Sequence, residues 1–586
     1  MSARSLLALG AALGACLAPV AALCEEVSPE LQFCFTSLRD GERARAELAL
    51  GPLTGLAFYR AELEVDPLGR EVTGKLAVTA PARAAGPGPL FLRSTPNAFG
   101  AGRVALKNVR VNGQAAKIEH PEPSLVRLVS AGPAVAAGGA LVELDLQATV
   151  PMAPRESASL AGSLTGGGGS RGGGDYGAFM AAPEVMSLAG LLPALPPADA
   201  GGELAAGPTG IGDLALYEPS NWLVSVTVPA GYRVHAAGTA LGEVPGKKGR
   251  VRFTFAIAAS RDFPLFVSRG YEVETATVDD IAVESHFASG DARSGKQALR
   301  HAASALVEFQ KRLGPLPFRT FKVVEARLTG GAGGMEFPGL VTVSTALYQG
   351  AANPLAAFGI PGFEGLAGLD ALPFDEAGLG KKMDRLLELT VAHEVAHQYF
   401  AGLVGSDPVA APVVDEALAQ HAALLYLEWK HGRAVADEVR QSDLVGAYQL
   451  YRLTGGKDGA ADRATGAFAS GLEYGALVYG KAPLLHDEER KLVGDAAYWK
   501  ALRAYVDGYR FRWANRDGFT QELAKAAPDK AKPLKALRRR WWNEAHGDED
   551  LGAPDLAGLI RSMTGTELSP EARELLEQLL PQLAGQ

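Results

Sequence analysis

The hydrophobic repeat of this chain changes once, and that change limits what it can fold into. Up to about residue 270 apolar residues alternate with polar ones. Ala61, Leu63 and Val65 do so within Arg60–Asp66, the pattern returns in Val142–Ala148, and Trp222, Val224, Val226 and Val228 repeat it. A period of two with Gly and Pro punctuation reads as half-buried antiparallel sheet. After residue 290 the period becomes helical. Leu299, Ala302, Leu306, Phe309 and Leu313 share one helical face, and Gly314-Pro315 ends it. A strand-like Phe321–Ala326, then Gly333-Gly-Met-Glu-Phe-Pro338, then the apolar Leu340–Ser344 follow. Residues 349–381, rich in Gly, Ala and Pro, read as an inserted loop. From Lys382 the pattern is mostly helical, with Ser569-Pro570 opening the last helix. Strands first and helices second, over 586 residues, predict an α+β multidomain chain. The glycine run from Gly162 to Gly177 is read as a flexible loop. It lacks the strand–Gly–helix context and GK[ST] ending of a phosphate cradle.

The net charge of −9 carries no basic block, which excludes an electrostatic footprint for nucleic acid. Residues 1–22 read as a signal peptide: Met1–Arg4 is short and positive, Leu6–Leu23 is apolar, and Val20-Ala21-Ala22 offers small residues for cleavage. A membrane anchor is the rival reading, opposed by the glycines and Pro19 within the run. Leu13-Gly14-Ala15-Cys16 also resembles a bacterial lipoprotein box with Cys16 as the lipid anchor, though apolar residues directly follow it. Either route predicts an exported chain, periplasmic or extracellular, with no transmembrane span in its mature form. Export leaves Cys24 and Cys34, which in an oxidising compartment are expected to pair within the N-terminal segment 23–57.

The chemistry concentrates in Val391-Ala-His-Glu-Val-Ala-His-Gln-Tyr-Phe400. His393 and His397 are four apart, so on a helix both imidazoles reach one ion from one face. The bland alternative is two core histidines flanking a surface Glu. Zinc suits imidazole nitrogen, and a catalytic zinc takes three protein ligands and a water. Glu394 follows the first histidine and can face that water. A metzincin needs Gly and His where this chain has Phe400 and Leu403, so that class fails. An acidic third ligand is available in Glu416, with eighteen residues between it and His397, where Asp415-Glu416 opens the next helix after a Gly/Pro-containing loop. Asp415 is either a partner of a ligand histidine or a helix-start residue.

HExxH, eighteen residues and Glu is the pattern of the aminopeptidase N and leukotriene hydrolase family of gluzincin peptidases, which this chain resembles from residue 58 to about 510. Gly333-Gly-Met-Glu-Phe is similar to that family's Gly-x-Met-Glu-Asn motif, and Tyr479-Gly-Lys-Ala482 to its Tyr-x-Lys-Gly motif. The resemblance implies an antiparallel β saddle domain over 58–270, a thermolysin-like α/β catalytic domain over 271–490 and a short helical region over 491–586. It implies one Zn²⁺ per chain held by His393, His397 and Glu416, with Glu394 as general base and Tyr479 as donor to the oxyanion. Glu336 would hold the α-amine of a peptide with a free N-terminus, and the Gly333–Gly334–Met335 backbone would pair with it as an edge strand. Zinc lowers the pKa of a bound water to about 7, which suits a neighbouring carboxylate base. Four departures stand out: Phe337 replaces Asn, Val413-Val414 precede the acidic pair, Ala482 replaces Gly, and the glutamine that the family's N-terminal domain often adds to the amine pocket is not found. The expected function is a zinc aminopeptidase. Its rivals are a zinc hydrolase of the same scaffold cutting internal bonds or another substrate, and a noncatalytic surface protein. The sequence leaves the oligomeric state open.

Overall fold

The computed structural model describes residues 27–82, 90–130, 139–154, 174–198, 204–214, 217–350, 376–555 and 558. The signal segment, Cys16, Cys24, most of the glycine run, residues 351–375 and Ser569-Pro570 lie outside the described residues. Among those described, no helix is long and apolar enough to cross a membrane.

Strands between Phe58 and Ser260 build a ten-stranded sheet. The alternation read from the sequence sets its faces. In Phe58–Asp66, Tyr59, Ala61, Leu63 and Val65 are buried and their neighbours exposed, and Ala140–Thr149 does the same with Val142, Leu144, Leu146 and Ala148. One pairing departs from the antiparallel expectation: Phe58–Asp66 runs parallel to Ser220–Pro229, with Leu63 opposite Val226. Alternation fixes which face a residue takes, not strand direction, and the long excursion between Thr149 and Ser220 gives room for the crossover a parallel pair needs. A four-stranded sheet, including Val185–Leu188 and Leu265–Ser268, completes this region.

Helix Pro29–Phe35 lies against the ten-stranded sheet and carries Cys34. Its thiol is free and buried, donating to the Trp222 carbonyl at 3.3 Å. Burial pushes that thiol up to about 12. Its expected partner, Cys24, lies outside the described residues.

A five-stranded mixed sheet begins at Tyr271, in the order Tyr271–Val278, Ile281–Ala288, Thr320–Ala326, Leu340–Ser344, Gly334–Phe337. Helix Ala292–Leu313 joins two of its strands that run parallel, Ile281–Ala288 and Thr320–Ala326, and buries Leu299, Ala302, Leu306, Phe309 and Leu313. The strand Gly334–Phe337 is an edge, and helix Glu376–Ala396 lies beside it. That helix starts six residues before the expected Lys382, and Thr345–Gly350 is also helical. The loop reading of 349–381 therefore fails at its two ends, the rest lying outside the described residues: Ala is the best helix former, and each interior Gly costs only about 1 kcal/mol. Helix Val413–His431 follows, and the described chain from there to Leu551 is helices and turns.

Candidate metal centre

Two helices and the turn between them build the site. His393 sits in the last turn of Glu376–Ala396, and His397 lies one turn further, its N–H still bonded to the His393 carbonyl at 3.1 Å. The buried stripe Val391, Ala392, Val395 and Ala396 holds this helix in the core. Glu416 is in the first turn of Val413–His431 and comes back against the first helix. His393 Nε2 and His397 Nε2 are 3.0 Å apart, and Glu416 Oε2 is 3.4 Å and 3.2 Å from them. His397 donates from Nδ1–H to the Phe400 carbonyl at 2.8 Å, which leaves its Nε2 lone pair facing the other two atoms. Two imidazole nitrogens and a carboxylate oxygen at these separations match the edges of a tetrahedron, about 3.3 Å, around an ion with bonds of about 2.0–2.1 Å. Among the described residues this is the one group of three whose ligand atoms converge so closely. The residues present therefore fit zinc.

The charges reinforce one another. Burial alone would raise the Glu416 carboxyl, yet His397 and His393 hold it well below the usual range. Burial would lower His397, yet Glu336 and Glu416 raise it well above an ordinary histidine. Glu394 is buried beside them. Burial and then Glu336 push its carboxyl well up, and its Oε2 has no hydrogen-bond partner. The reason for glycine at 334 is plain here: a Cβ at Gly334 would stand 2.3 Å from Glu394 Oε1. The edge strand approaches so closely that any side chain at 334 would have to displace the Glu394 carboxylate.

The other expected residues fall as follows. Glu336, half-buried on the edge strand opposite Val341, faces the cluster; burial raises its carboxyl, and His397 moderates the rise. Gly333 and Met335 flank it on the same segment. Tyr479 lies on a π-helical turn, Gly475–Lys481, a local widening common at functional sites. Its hydroxyl donates to Glu416 Oε1, and its ring is 5.8 Å from that of His393. Asp415 accepts from the Ser406 hydroxyl at 2.6 Å and from the Glu416 N–H at 2.9 Å. It braces the backbone of Glu416 rather than an imidazole; burial and then Glu416 push it up to about 7. Lys481 of the Tyr-x-Lys motif points away, its ammonium donating to Asp458 at 2.7 Å and to the Gly459 and Glu544 carbonyls.

Three participants were not found by sequence reasoning. Asp213 comes from a loop of the β region and lies near Glu336; burial, then Glu336 and Glu416, raise it well above an ordinary aspartate. Gly212 seats the loop: its φ is +74°, its N–H donates to the Tyr176 hydroxyl at 2.9 Å, and a Cβ there would meet Thr465 at 2.7 Å. Gln398 clamps the edge strand to the histidine segment, donating to the Phe337 carbonyl at 3.0 Å and accepting from the Gly339 N–H at 2.8 Å. Position 337 therefore holds its register through its backbone, while the Phe337 side chain is buried. Only Gln398 had a usable signal, its place directly after the second histidine.

No family model and no curated protein matches this chain. Solved structures do. The M1 zinc metallopeptidase from Deinococcus radiodurans is 18% identical, with a TM-score of 0.54 over 83% of this chain and 94% of that one. A two-domain M1 zinc metallopeptidase, a glutamate-to-alanine mutant bound to L-arginine, is 17% identical, with a TM-score of 0.54 over 84% and 94% of the two chains. A glutamate-to-alanine mutant of the Deinococcus radiodurans M1 zinc metallopeptidase, bound to a Tyr-Ser-Ala substrate, is 17% identical and aligns over 83% of this chain and 94% of that one at a TM-score of 0.53. The likeness is one of fold.

Proposed function

We propose that this chain is a zinc aminopeptidase, hydrolysing the first peptide bond of peptides with a free N-terminus. One observation carries the reading: three converging ligand atoms, 3.0–3.4 Å apart, lie beside an edge strand that bears a carboxylate, Glu336. The fold it shares with solved zinc metallopeptidases, among them one holding a tripeptide substrate, supports it. Zinc, when held by His393, His397 and Glu416, supplies a Lewis acid and lowers the pKa of a bound water to about 7.

The protein's own groups do the rest. Glu394 takes the proton of the attacking water and returns it to the leaving amine. Its unpaired Oε2 is free to do so, and burial with the nearby Glu336 carboxylate makes it a stronger base than an exposed glutamate. The Tyr479 hydroxyl donates to the carbonyl oxygen as charge develops there; in this structure its bond goes to Glu416, so the substrate oxygen takes that bond over. Glu336 and Asp213 lie near one another, and a substrate ammonium between them pairs with both carboxylates. The Gly333–Met335 backbone, at the sheet edge, is placed to pair with an extended peptide. Asp213 occupies the role for which no glutamine was found, which favours an exopeptidase over an enzyme cutting internal bonds. The test is to purify the protein, count its zinc and profile free and acetylated peptides. One zinc per chain with free peptides preferred supports the reading; turnover of blocked peptides alone contradicts it.

A further inference from the structure

Asp213 and Glu336, the two carboxylates assigned to the substrate ammonium, come from distant parts of the chain. Asp213 follows Gly212 in a loop of the β region, and Glu336 lies on the edge strand Gly334–Phe337. The turn that begins at Thr329, closed by the Ala332 N–H on the Thr329 carbonyl at 3.3 Å, leads into that strand. Whatever fixes the spacing of these two segments decides whether one ammonium reaches both carboxylates. One residue bonds to both. The Tyr176 hydroxyl accepts from the Gly212 N–H at 2.9 Å and donates to the Gly210 carbonyl at 3.4 Å. The Tyr176 carbonyl accepts from the Thr329 N–H at 3.0 Å. A single side chain and its own backbone therefore span from the loop of Asp213 to the approach of the Glu336 strand.

Both ends of this span are pinned. The Tyr176 backbone has a φ of +52°, in the left-handed region that bulky side chains rarely adopt. Its neighbours hold it there. Asp175 Oδ1 accepts from the Gly177 N–H at 3.2 Å, and Asp175 Oδ2 accepts from Arg103 at 2.7 Å. Gly177 lies so close to the chain before Thr329 that a Cβ on it would stand 2.6 Å from the Arg327 carbonyl oxygen. On the other side of the Asp213 loop, the Thr209 hydroxyl is bonded to that of Thr465 at 2.8 Å. A Cβ on Gly212 would meet the Tyr474 hydroxyl at 3.0 Å, and the Tyr474 ring lies 5.6 Å from that of Tyr479. Gly212 is thus confined between Tyr176 and the wall that carries the oxyanion donor. Burial raises the Tyr176 phenol above its ordinary value, the Gly212 N–H opposes the rise, and Asp213 and Glu416 add to it, so the hydroxyl keeps its proton for the Gly210 carbonyl. On the aminopeptidase reading, on which this rests, we propose that Tyr176 is a positioning residue of the amine pocket, acting through Gly212 and Thr329 to set the spacing of Asp213 and Glu336.

Tyr176→Phe is the test, because it keeps the ring and the carbonyl bond to Thr329 and removes only the hold on Gly212. With the zinc-loaded enzyme and a free peptide, KM should rise about three- to tenfold, as for one lost hydrogen bond, while kcat and zinc content change little. A second background separates positioning from general destabilisation. In Asp213→Asn the charge that Tyr176 places is already gone, so adding Tyr176→Phe should raise KM by less than about twofold further. An unchanged KM in the single variant, or the same rise in both backgrounds, overturns the proposal. The parent enzyme, assayed beside them on the free and N-acetylated peptide, keeps the two failures apart. If it still prefers the free form, such results sink the role of Tyr176 alone; if it cleaves both forms equally, the aminopeptidase reading falls and this inference falls with it.

Discussion

Two buried clusters in this molecule share a composition and part of a helix, yet differ in what they can hold. His393, His397 and Glu416 bring three ligand atoms within 3.4 Å of one another. His421, His486 and Glu489 are as deeply buried, but the two imidazole ring centres stand 5.5 Å apart against 4.6 Å for His393 and His397, and one carboxylate oxygen is already spent on an imidazole N–H. A third group shows another outcome. Glu388, in the same helix as His393, is surrounded by Arg385, Lys430, His301 and His431, all within 3.4 Å. Burial would raise its carboxyl, yet His301 and His431 beside it hold it well below the usual range. Two histidines and a glutamate therefore make a metal site only when lone pairs converge on one point with no cation or N–H already filling it.

The largest expected effect tests the catalytic half of the first cluster. Glu394→Gln keeps shape and zinc but removes the base, so kcat should fall about 10²–10⁴-fold. Turnover near that of the parent would remove Glu394 from the chemistry. Tyr479→Phe should lower kcat by about 10²–10³ with little change in KM, as for a donor used in the transition state. A change confined to KM would instead leave Tyr479 as a brace for Glu416.

The comparison itself is sharpest in paired deletions. Glu416→Ala should weaken zinc binding by more than about 10²-fold, beyond the loss typical of an outer partner, whereas Glu489→Ala should leave zinc content at one per chain. Zinc lost equally from both variants would erase the distinction. Gly334→Ala should cost up to about 10² in kcat while zinc and Tm hold, because the new methyl displaces the Glu394 carboxylate rather than the backbone. Unaltered kcat there would mean that the close approach of the edge strand does not matter.

His393, Glu394, His397 and Glu416 were legible as one cluster because helical spacing and one chain interval place them. Faces of the strands were legible for the same kind of reason: alternation dictates burial, as Leu63 and Val65 show. What stayed hidden was contact across long sequence separations. Asp213 meets Glu336 only because a loop from the β region folds over the site, and no local pattern announces it. Direction of pairing was hidden too, since Leu63 opposite Val226 looks alike in parallel and antiparallel sheets. His421 and His486 belong to no local motif, and they meet only once their helices pack.

The central claim is that the site reads a free chain end. It is tested most directly by rates on one peptide, free and N-acetylated, with zinc counted in the same preparation. A charge-assisted hydrogen bond of roughly 1.5–3 kcal/mol to Glu336 predicts at least about tenfold slower cleavage of the acetylated form. Glu336→Ala should erase most of that difference. Equal rates on the two forms by the zinc-loaded enzyme would contradict the account.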